Sequence, residues 1–193
     1  MRNLQRSLTF ALVLAAVGCT SASIESSWRS PAAPQLSSVV TLSPAPDGVR
    51  RRSVEDKLAQ QLAHQGVHAV PAYAVLADRD LGNQRTMMEK LRAAGFDGVV
   101  TMRLVDAHQK LTYYPAFNDY WGGAWGAGDV VPTTIVRVEV NAYSLANGQL
   151  IWSAMSKSVD PSSASEVIGD VTKVVSEKLA KDRVIGRPQA AAR

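Results

Sequence analysis

The sequence predicts a single α/β domain: a two-layer sandwich with a mixed sheet of about five strands and helices packed mainly on one face. Three observations lead to this prediction. Helix-type and strand-type apolar patterns alternate in the first half of the chain, Asn147-Gly148 separates two long strand patterns, and an amphipathic helix pattern follows them. The predicted order is β-α-β-α-β-β-β-α, a βαβ unit followed by an antiparallel meander and a closing helix.

The first half begins with a predicted strand over Leu36–Leu42. Asp47 then caps a predicted helix that ends at Gly66, with Val54, Leu58 and Leu62 on its buried stripe. A second strand is predicted over Val67–Tyr73, where Pro71 places it near a sheet edge. A second helix covers Asn83–Ala94, with Met87, Met88 and Leu91 facing inward and Gly95 as its end.

The second half is predicted to be mainly strand. Phe96–Ala107 forms a strand, residues 109–131 form a long irregular stretch, and Thr133–Leu145 pairs with Gln149–Ser158 as a hairpin. This hairpin is expected to place Tyr143 opposite Trp152. Ser163 and Glu166 fit a capping box for the closing helix. Its predicted buried stripe consists of Ile168, Val171, Val175 and Leu179.

The first 18 residues have the pattern of an export signal. Arg2 and Arg6 precede the apolar run Leu8–Val17, which is too short to span ~30 Å of hydrocarbon as a helix. The run ends in Ala16-Val17-Gly18-Cys19, which resembles a lipobox. The alternative is an ordinary secretory signal with a chance cysteine. The lipobox interpretation predicts palmitate-type acylation, with a diacylglycerol and an N-acyl chain on Cys19, and these chains would anchor the protein stably.

The N-terminal signal also sets the expected location and domain boundaries. In Gram-negative lipoproteins an aspartate directly after the lipidated cysteine is the usual signal for retention in the inner membrane. This chain has Thr20 at that position, so we expect it in the outer membrane, with the domain facing the periplasm. Residues 19–34, rich in Ser, Ala and Pro, are predicted to be the lipidated cysteine and a flexible tether. The folded domain is predicted over 35–183, and a disordered tail over 184–193.

Composition narrows the functional classes. The 193 residues are 46% hydrophobic and 20% charged, as in ordinary globular proteins. The net charge is +4, and removal of Arg2 and Arg6 with the export signal leaves +2, which is too weak to indicate a nucleic-acid partner. Because Cys19 is the single cysteine, no disulfide and no cysteine metal site is expected in the folded part.

Two segments are candidate partner-binding sites. Residues 113–126 concentrate aromatic residues and glycine, and Tyr120, Trp121 and Trp125 there are the candidate contact residues. The alternative is a hairpin tip folded onto its own domain. Arg50, Arg51 and Arg52 open the first helix and either form a solvated turn or contact anionic lipid or an acidic partner.

Catalytic and metal-binding motifs are weak in this sequence. No nucleophile elbow, P-loop or dinucleotide fingerprint occurs. His64 and His68 have the spacing of metal ligands on one helix, but Gly66 lies between them at the expected helix end. Asp78 and Asp80 lack further oxygen ligands for calcium and are expected in a solvated loop. His108 follows Asp106 without an identifiable nucleophile. We therefore expect no enzyme, no metal and no cofactor other than the covalent lipid.

Several residues spread over roughly Ser27–Lys181 form a further pattern: Trp28, Arg52, Gly66, Asp97, Asn147-Gly148, Trp152 and Asp160-Pro161. In these residues the chain resembles a family of bacterial envelope lipoproteins of unknown function, the domain of unknown function 4136 type. It implies an α/β fold related to periplasmic accessory lipoproteins and supplies no established catalytic residues.

These observations together predict a lipid-anchored, non-catalytic periplasmic domain that binds another envelope component. An alternative is a small-molecule or lipid carrier, which would need a pocket between the sheet and the helices. A hydrolase is the least favoured alternative, and it would need a serine near His108 and an aspartate.

Overall fold

The computed structural model describes residues 22–114 and 129–186. In these ranges one mixed sheet contains β1 (Ala22–Arg29), β2 (Ser38–Leu42), β3 (His68–Pro71), β4 (Gly98–Tyr114), β5 (Asp129–Ser144) and β6 (Leu150–Val159). The helices are α1 (Gly48–His64), α2 (Gln84–Ala93) and α3 (Ala164–Lys181). Two 3₁₀ turns, Ala72–Ala74 and Asp78–Asp80, lie between β3 and α2.

The sheet confirms the predicted α/β class. Its strand order is β1-β6-β5-β4-β2-β3. β2 pairs in parallel with β3 and β4, whereas β4, β5, β6 and β1 pair antiparallel in succession. β3, which ends at Pro71, is an edge strand, as its proline predicts.

The predicted helix boundaries are confirmed by their caps. The Asp47 side chain accepts hydrogen bonds from the first backbone amides of α1, and Asn83 accepts one from Thr86 N at α2. Gly66 and Gly95 follow these helices with φ of 84° and 85°, a conformation that favours glycine. Both glycines therefore end the helices where the sequence predicts.

The core lies on both faces of the sheet. On one face α1 and α3 pack over β-strand residues that include Val39, Val100 and Val140. On the other face α2 and the 3₁₀ turns cover a smaller cluster that includes Val40 and Val99. Because side chains alternate along a strand, consecutive residues such as Val39 and Val40 serve opposite layers.

Both predicted ends of the domain need correction. Ala22–Arg29, which was predicted to belong to the tether, is strand β1 and pairs antiparallel with β6. Its Ser-rich composition resembles a linker, but its backbone completes the edge of the sheet. Val184 and Ile185, predicted to begin the tail, are buried, and Ile185 forms a parallel bridge with Leu36.

The long strands also differ from the prediction. Tyr143 pairs with Leu150 and not with Trp152, which lies opposite Ala142 in the core, because residues 145–149 form a longer connection than the predicted two-residue turn at Asn147-Gly148. Residues 109–114 and 129–131, predicted to be irregular, extend β4 and β5. At α3, Ser163 caps the helix as predicted, and the Glu166 carboxylate accepts a hydrogen bond from Ser162 N.

Candidate functional site

One end of the sheet gathers the beginnings of several elements. Ala22 of β1, Ser158 of β6, Val136 of β5 and Ala107 of β4 form one continuous row of paired residues. β2 runs parallel to β4 toward this end, so α1, which follows β2, begins there. β6 also runs toward this end, so α3, which follows β6, begins there too. We call this the Ala22 end of the sheet.

Beyond the next pair, Ile135–Val159, β4 and β5 continue alone among the described strands. Residues 109–114 and 129–134 pair with each other and are called the ribbon below. β6 ends with the pair Val159–Ile135, and β2 pairs with β4 only as far as Thr101, so no other described strand flanks the ribbon. The strand from Ala107 to Tyr114 is ~23 Å long at about 3.3 Å per residue.

One face of the ribbon is apolar although it is exposed. Leu111 is 68% exposed, Tyr113 and Val130 are each 56% exposed, and Val131 is 43% exposed. The register places Leu111 opposite Pro132 and Tyr113 opposite Val130, so these four residues share one face. A two-stranded ribbon is marginally stable in water by itself, and contiguous exposed apolar residues mark interaction sites. The ribbon is therefore the candidate functional site.

The contact residues predicted from the sequence lie between the two strands of the ribbon in the amino-acid sequence. Tyr120, Trp121 and Trp125 lie outside the described residues, as does Cys19. The ribbon itself was missed because residues 109–131 were interpreted as irregular. Only a weak signal is present, since Leu111 and Tyr113 alternate with polar residues and Val130-Val131 follows on the return strand.

The three arginines of α1 do not form one patch. Arg50 is 80% exposed at its side chain, with its Nε 3.8 Å from Asp47. Arg51 is largely buried, and its guanidinium lies 2.6 Å from Asp78 and 3.9 Å from Glu55. Arg52 lies over the ring of Tyr73, with its Cζ 5.2 Å from the ring centroid. Arg51 and Arg52 thus make contacts within the domain, whereas the Arg50 side chain is mostly exposed.

Glu55 is a buried carboxylate on α1. Its side chain has no exposed surface and accepts a hydrogen bond from Ser43 N at 3.2 Å. Burial raises the pKa of Glu55, and the Ser43 amide and the Arg51 charge partly offset that effect. Its backbone carbonyl accepts from the Thr41 hydroxyl at 2.8 Å. Glu55 therefore joins α1 to β2 and the loop after it.

An ion-pair network lies on the exposed sheet face near β1. Arg137 binds Glu25, with 3.0 Å between Nε and Oε2, and approaches Asp106 at 3.5 Å. The hydrogen bond with Arg137 lowers the pKa of Glu25. Asp106 also contacts His108 Nδ1 at 2.6 Å. Within the described ranges no serine hydroxyl hydrogen-bonds His108, so the hydrolase alternative gains no nucleophile there.

The remaining acidic and histidine candidates have other partners. Asp78 binds Arg51, and Asp80 binds Lys90 at 2.7 Å and accepts from Ala77 N. Asp80 is buried, which corrects the predicted solvated loop, and its hydrogen bond with Lys90 lowers its pKa. His68 stacks on Phe96 with ring centroids 5.7 Å apart. Among the residues placed by the structure, no three His, Cys, Asp or Glu side chains gather as metal ligands.

The space between the sheet and α1 and α3 is filled by side chains. Trp152, Leu58 and Val171 there have no exposed surface. A groove of about 800 Å³ lies at the surface between α1 and α3, and a second of about 310 Å³ lies beside Phe96 and Leu145. The packed core does not support the carrier alternative. In the described ranges no helix has the length and apolar character needed to span a bilayer.

Comparison with known proteins gives structural similarities only. No family model and no curated protein matches the chain. The chain is similar to a PelC dodecamer from Paraburkholderia phytofirmans, with 15% identity and a TM-score of 0.49 over 86% of this chain and 99% of that one. It is also similar to lipoprotein GNA1162 from Neisseria meningitidis, with 18% identity and a TM-score of 0.43 over 75% and 99% of the two chains.

A minor lipoprotein from Acinetobacter baumannii is similar with 11% identity and a TM-score of 0.36, over 76% of this chain and 94% of that one. Structural neighbours thus include bacterial lipoproteins. At these identities and TM-scores none of them assigns a function to this chain. The resemblance to the domain of unknown function 4136 type stays a prediction.

Proposed function

We propose that this protein is a lipid-anchored domain of the bacterial cell envelope. Acylated Cys19 joins it to the periplasmic side of the outer membrane, and it acts as a non-catalytic accessory domain that binds another envelope component. The observation that carries the proposal is the start of β1. Ala22 is separated from Cys19 by only Thr20 and Ser21.

This short connection has a mechanical consequence. Consecutive residues span at most about 3.6 Å each, so the Cα atoms of Cys19 and Ala22 are no more than ~11 Å apart. β1 is paired with β6 along its length, which fixes its start to the sheet. A lipid on Cys19 would therefore hold the Ala22 end of the sheet next to the bilayer and turn the opposite end toward the periplasm.

A binding role is supported by the exposed surface of the domain. Leu111, Val130 and Val131 expose apolar side chains in the described part of the domain. The core is packed, and His108, hydrogen-bonded to Asp106, has no serine hydroxyl within hydrogen-bond distance in the described part. These features favour a domain that binds a partner at its surface, and they do not favour one that encloses a ligand or cleaves a substrate.

Substitution of Cys19 tests the anchor. Cells that express the wild-type chain, Cys19→Ser or the matched control Thr20→Ser are labelled with radioactive palmitate and then fractionated. We expect label and firm membrane association in the wild type and in Thr20→Ser, and the loss of both in Cys19→Ser. Equal labelling and equal membrane association of all three chains would contradict the proposal.

Placement in the outer membrane needs a separate measurement. In a Gram-negative host, membranes are separated on a density gradient for the wild type and for Thr20→Asp. Because aspartate after the lipidated cysteine is the usual retention signal, we expect Thr20→Asp to move to the inner membrane fraction. A wild-type chain that already fractionates with the inner membrane would refute the outer-membrane assignment and leave the lipid anchor intact.

A further inference from the structure

We infer that the ribbon, residues 109–114 and 129–134, is a second contact with the bilayer that holds Cys19, at the level of the lipid headgroups. This inference rests on the lipid anchor proposed above. It concerns the described residues of the ribbon, whose most exposed apolar members are Leu111, Tyr113 and Val130.

Direction along the sheet is the first reason. The row Ala22–Ser158–Val136–Ala107 aligns the start of β1 with the base of the ribbon. Because β1 runs antiparallel to β6 and β4 antiparallel to β5, β1 begins at the same end of the sheet toward which β4 runs from Ala107 to Tyr114. The anchor and the ribbon therefore extend from the same end of the domain.

Length is the second reason. The Cys19 to Ala22 connection allows at most ~11 Å, whereas the strand from Ala107 to Tyr114 is ~23 Å long. A ribbon longer than the connection extends to the lipid surface when the acyl chains are inserted. The Ala22 end is thus close enough to the bilayer for the ribbon to contact it without any movement within the domain.

The chemistry of the ribbon is the third reason. Leu111, Val130 and Val131 present apolar surface, and Tyr113 adds a ring with a polar tip, a combination common at membrane interfaces. The outer edges of the ribbon carry backbone groups that no other described strand pairs. Such groups are costly in hydrocarbon, so the ribbon should lie among the headgroups and not in the bilayer centre.

A single fluorescent label measures this contact. Acylation occupies the thiol of Cys19, the chain's only cysteine, so an introduced cysteine is the only free thiol in the mature lipoprotein. The full acylated chain carries an environment-sensitive dye at Leu111→Cys or, as matched control, at Ala146→Cys. Ala146 is exposed in the β5–β6 turn at the opposite end of the sheet. Both proteins are reconstituted in phosphatidylethanolamine–phosphatidylglycerol vesicles with nitroxide on some headgroups.

We expect the Leu111 dye to show blue-shifted emission, to lose most of its fluorescence to the headgroup nitroxide, and to be shielded from aqueous iodide. We expect the Ala146 dye to show no blue shift, to keep most of its fluorescence beside the headgroup nitroxide, and to be quenched by aqueous iodide. A Leu111 dye that iodide quenches as readily as the Ala146 dye would overturn the inference. A Leu111 dye shielded from both quenchers would also overturn it, since a second copy or another protein would then cover the ribbon.

Controls separate this inference from the anchor itself. Mass spectrometry of the reconstituted protein and flotation with the vesicles report acylation of Cys19 independently of the dye. An unacylated chain that fails to float refutes the proposed anchor, whereas an acylated chain with an unquenched Leu111 dye refutes only the ribbon contact. Val130→Cys provides a second label on the same face if Leu111→Cys does not fold.

Discussion

The indole Nε1 of Trp152 donates a hydrogen bond to Asp182 Oδ2 at 2.8 Å and thereby joins β6 to the residue that ends α3. Lys178 Nζ contacts both oxygens of the same carboxylate, at 2.6 and 2.7 Å. Trp152 has no exposed surface and packs in the larger core cluster. This contact therefore connects the closing helix to the centre of the sheet.

Replacing Trp152 by Phe should destabilise the domain. The smaller ring leaves unfilled space in the core, and the Asp182 carboxylate loses a donor, so we expect a cost on the order of 2–4 kcal/mol. Urea denaturation followed by circular dichroism measures the free energy of unfolding. Trp28→Phe is the matched control, since Trp28 is 51% exposed on β1 and should change stability little. Equal losses in the two variants would contradict the assigned burial.

Asp182→Asn should reduce the acid sensitivity of the domain. Burial acts to raise the pKa of Asp182, but the hydrogen bonds from Lys178 and Trp152 outweigh it and lower the pKa. A lowered pKa in the folded state contributes stability above the unfolded pKa, and this stability is lost as pH falls through the folded pKa.

Thermal melts from neutral pH to about pH 3 test this linkage. We expect Asp182→Asn to be less stable than the wild type at neutral pH, with the difference narrowing in acid. Asp129→Asn, which changes an exposed carboxylate, is the control. A constant difference between Asp182→Asn and the wild type at every pH would show that Asp182 does not contribute through its charge.

The elements with strong local signals were predicted correctly. Asp47 and Gly66 at the two ends of α1 act within a few residues, so the sequence alone determines them. The predicted Tyr143–Trp152 pair was wrong because residues 145–149 connect the strands in place of a two-residue turn at Asn147-Gly148, and a register difference of one residue moves a side chain to the other face.

The strand β1 and the ribbon were missed for a different physical reason. Ala22–Arg29 has mostly exposed side chains, so its strand conformation depends on backbone pairing with β6, more than a hundred positions away. The ribbon depends in the same way on its partner strand. Periodicity detects burial on one face, and elements with both faces exposed give little of that signal.

Trp121→Ser combined with Trp125→Ser should preserve the fold and reduce partner capture. Both residues lie outside the described ranges, so the prediction rests on composition: large rings among glycines favour contact with a partner. Circular dichroism with a thermal melt tests the fold, and in-cell crosslinking with mass spectrometry tests capture. Loss of the fold would place the tryptophans in the core. An unchanged crosslinking profile would show that these tryptophans do not bind the partner, and Arg50, Arg51 and Arg52 would then be the next candidate contact residues.

The buried Glu55 carboxylate is the most informative position for pH dependence. Burial raises its pKa above that of an exposed glutamate, and the Ser43 amide and Arg51 only partly compensate. The folded state therefore binds a proton at Glu55 more tightly than the unfolded state does. This contribution to stability is complete below the unfolded pKa and is lost as pH rises through the folded pKa.

Glu55→Gln should consequently raise the melting temperature at neutral pH and have little effect in acid. Glutamine retains an oxygen that can accept from Ser43 N and removes the cost of a buried charge, while Arg51 keeps its ion pair with Asp78. Melts across the acid-to-neutral range test this, with Glu177→Gln as the control because Glu177 is exposed on α3. A Glu55→Gln variant that melts below the wild type at neutral pH would show that Arg51 and Ser43 stabilise the carboxylate by more than its burial costs.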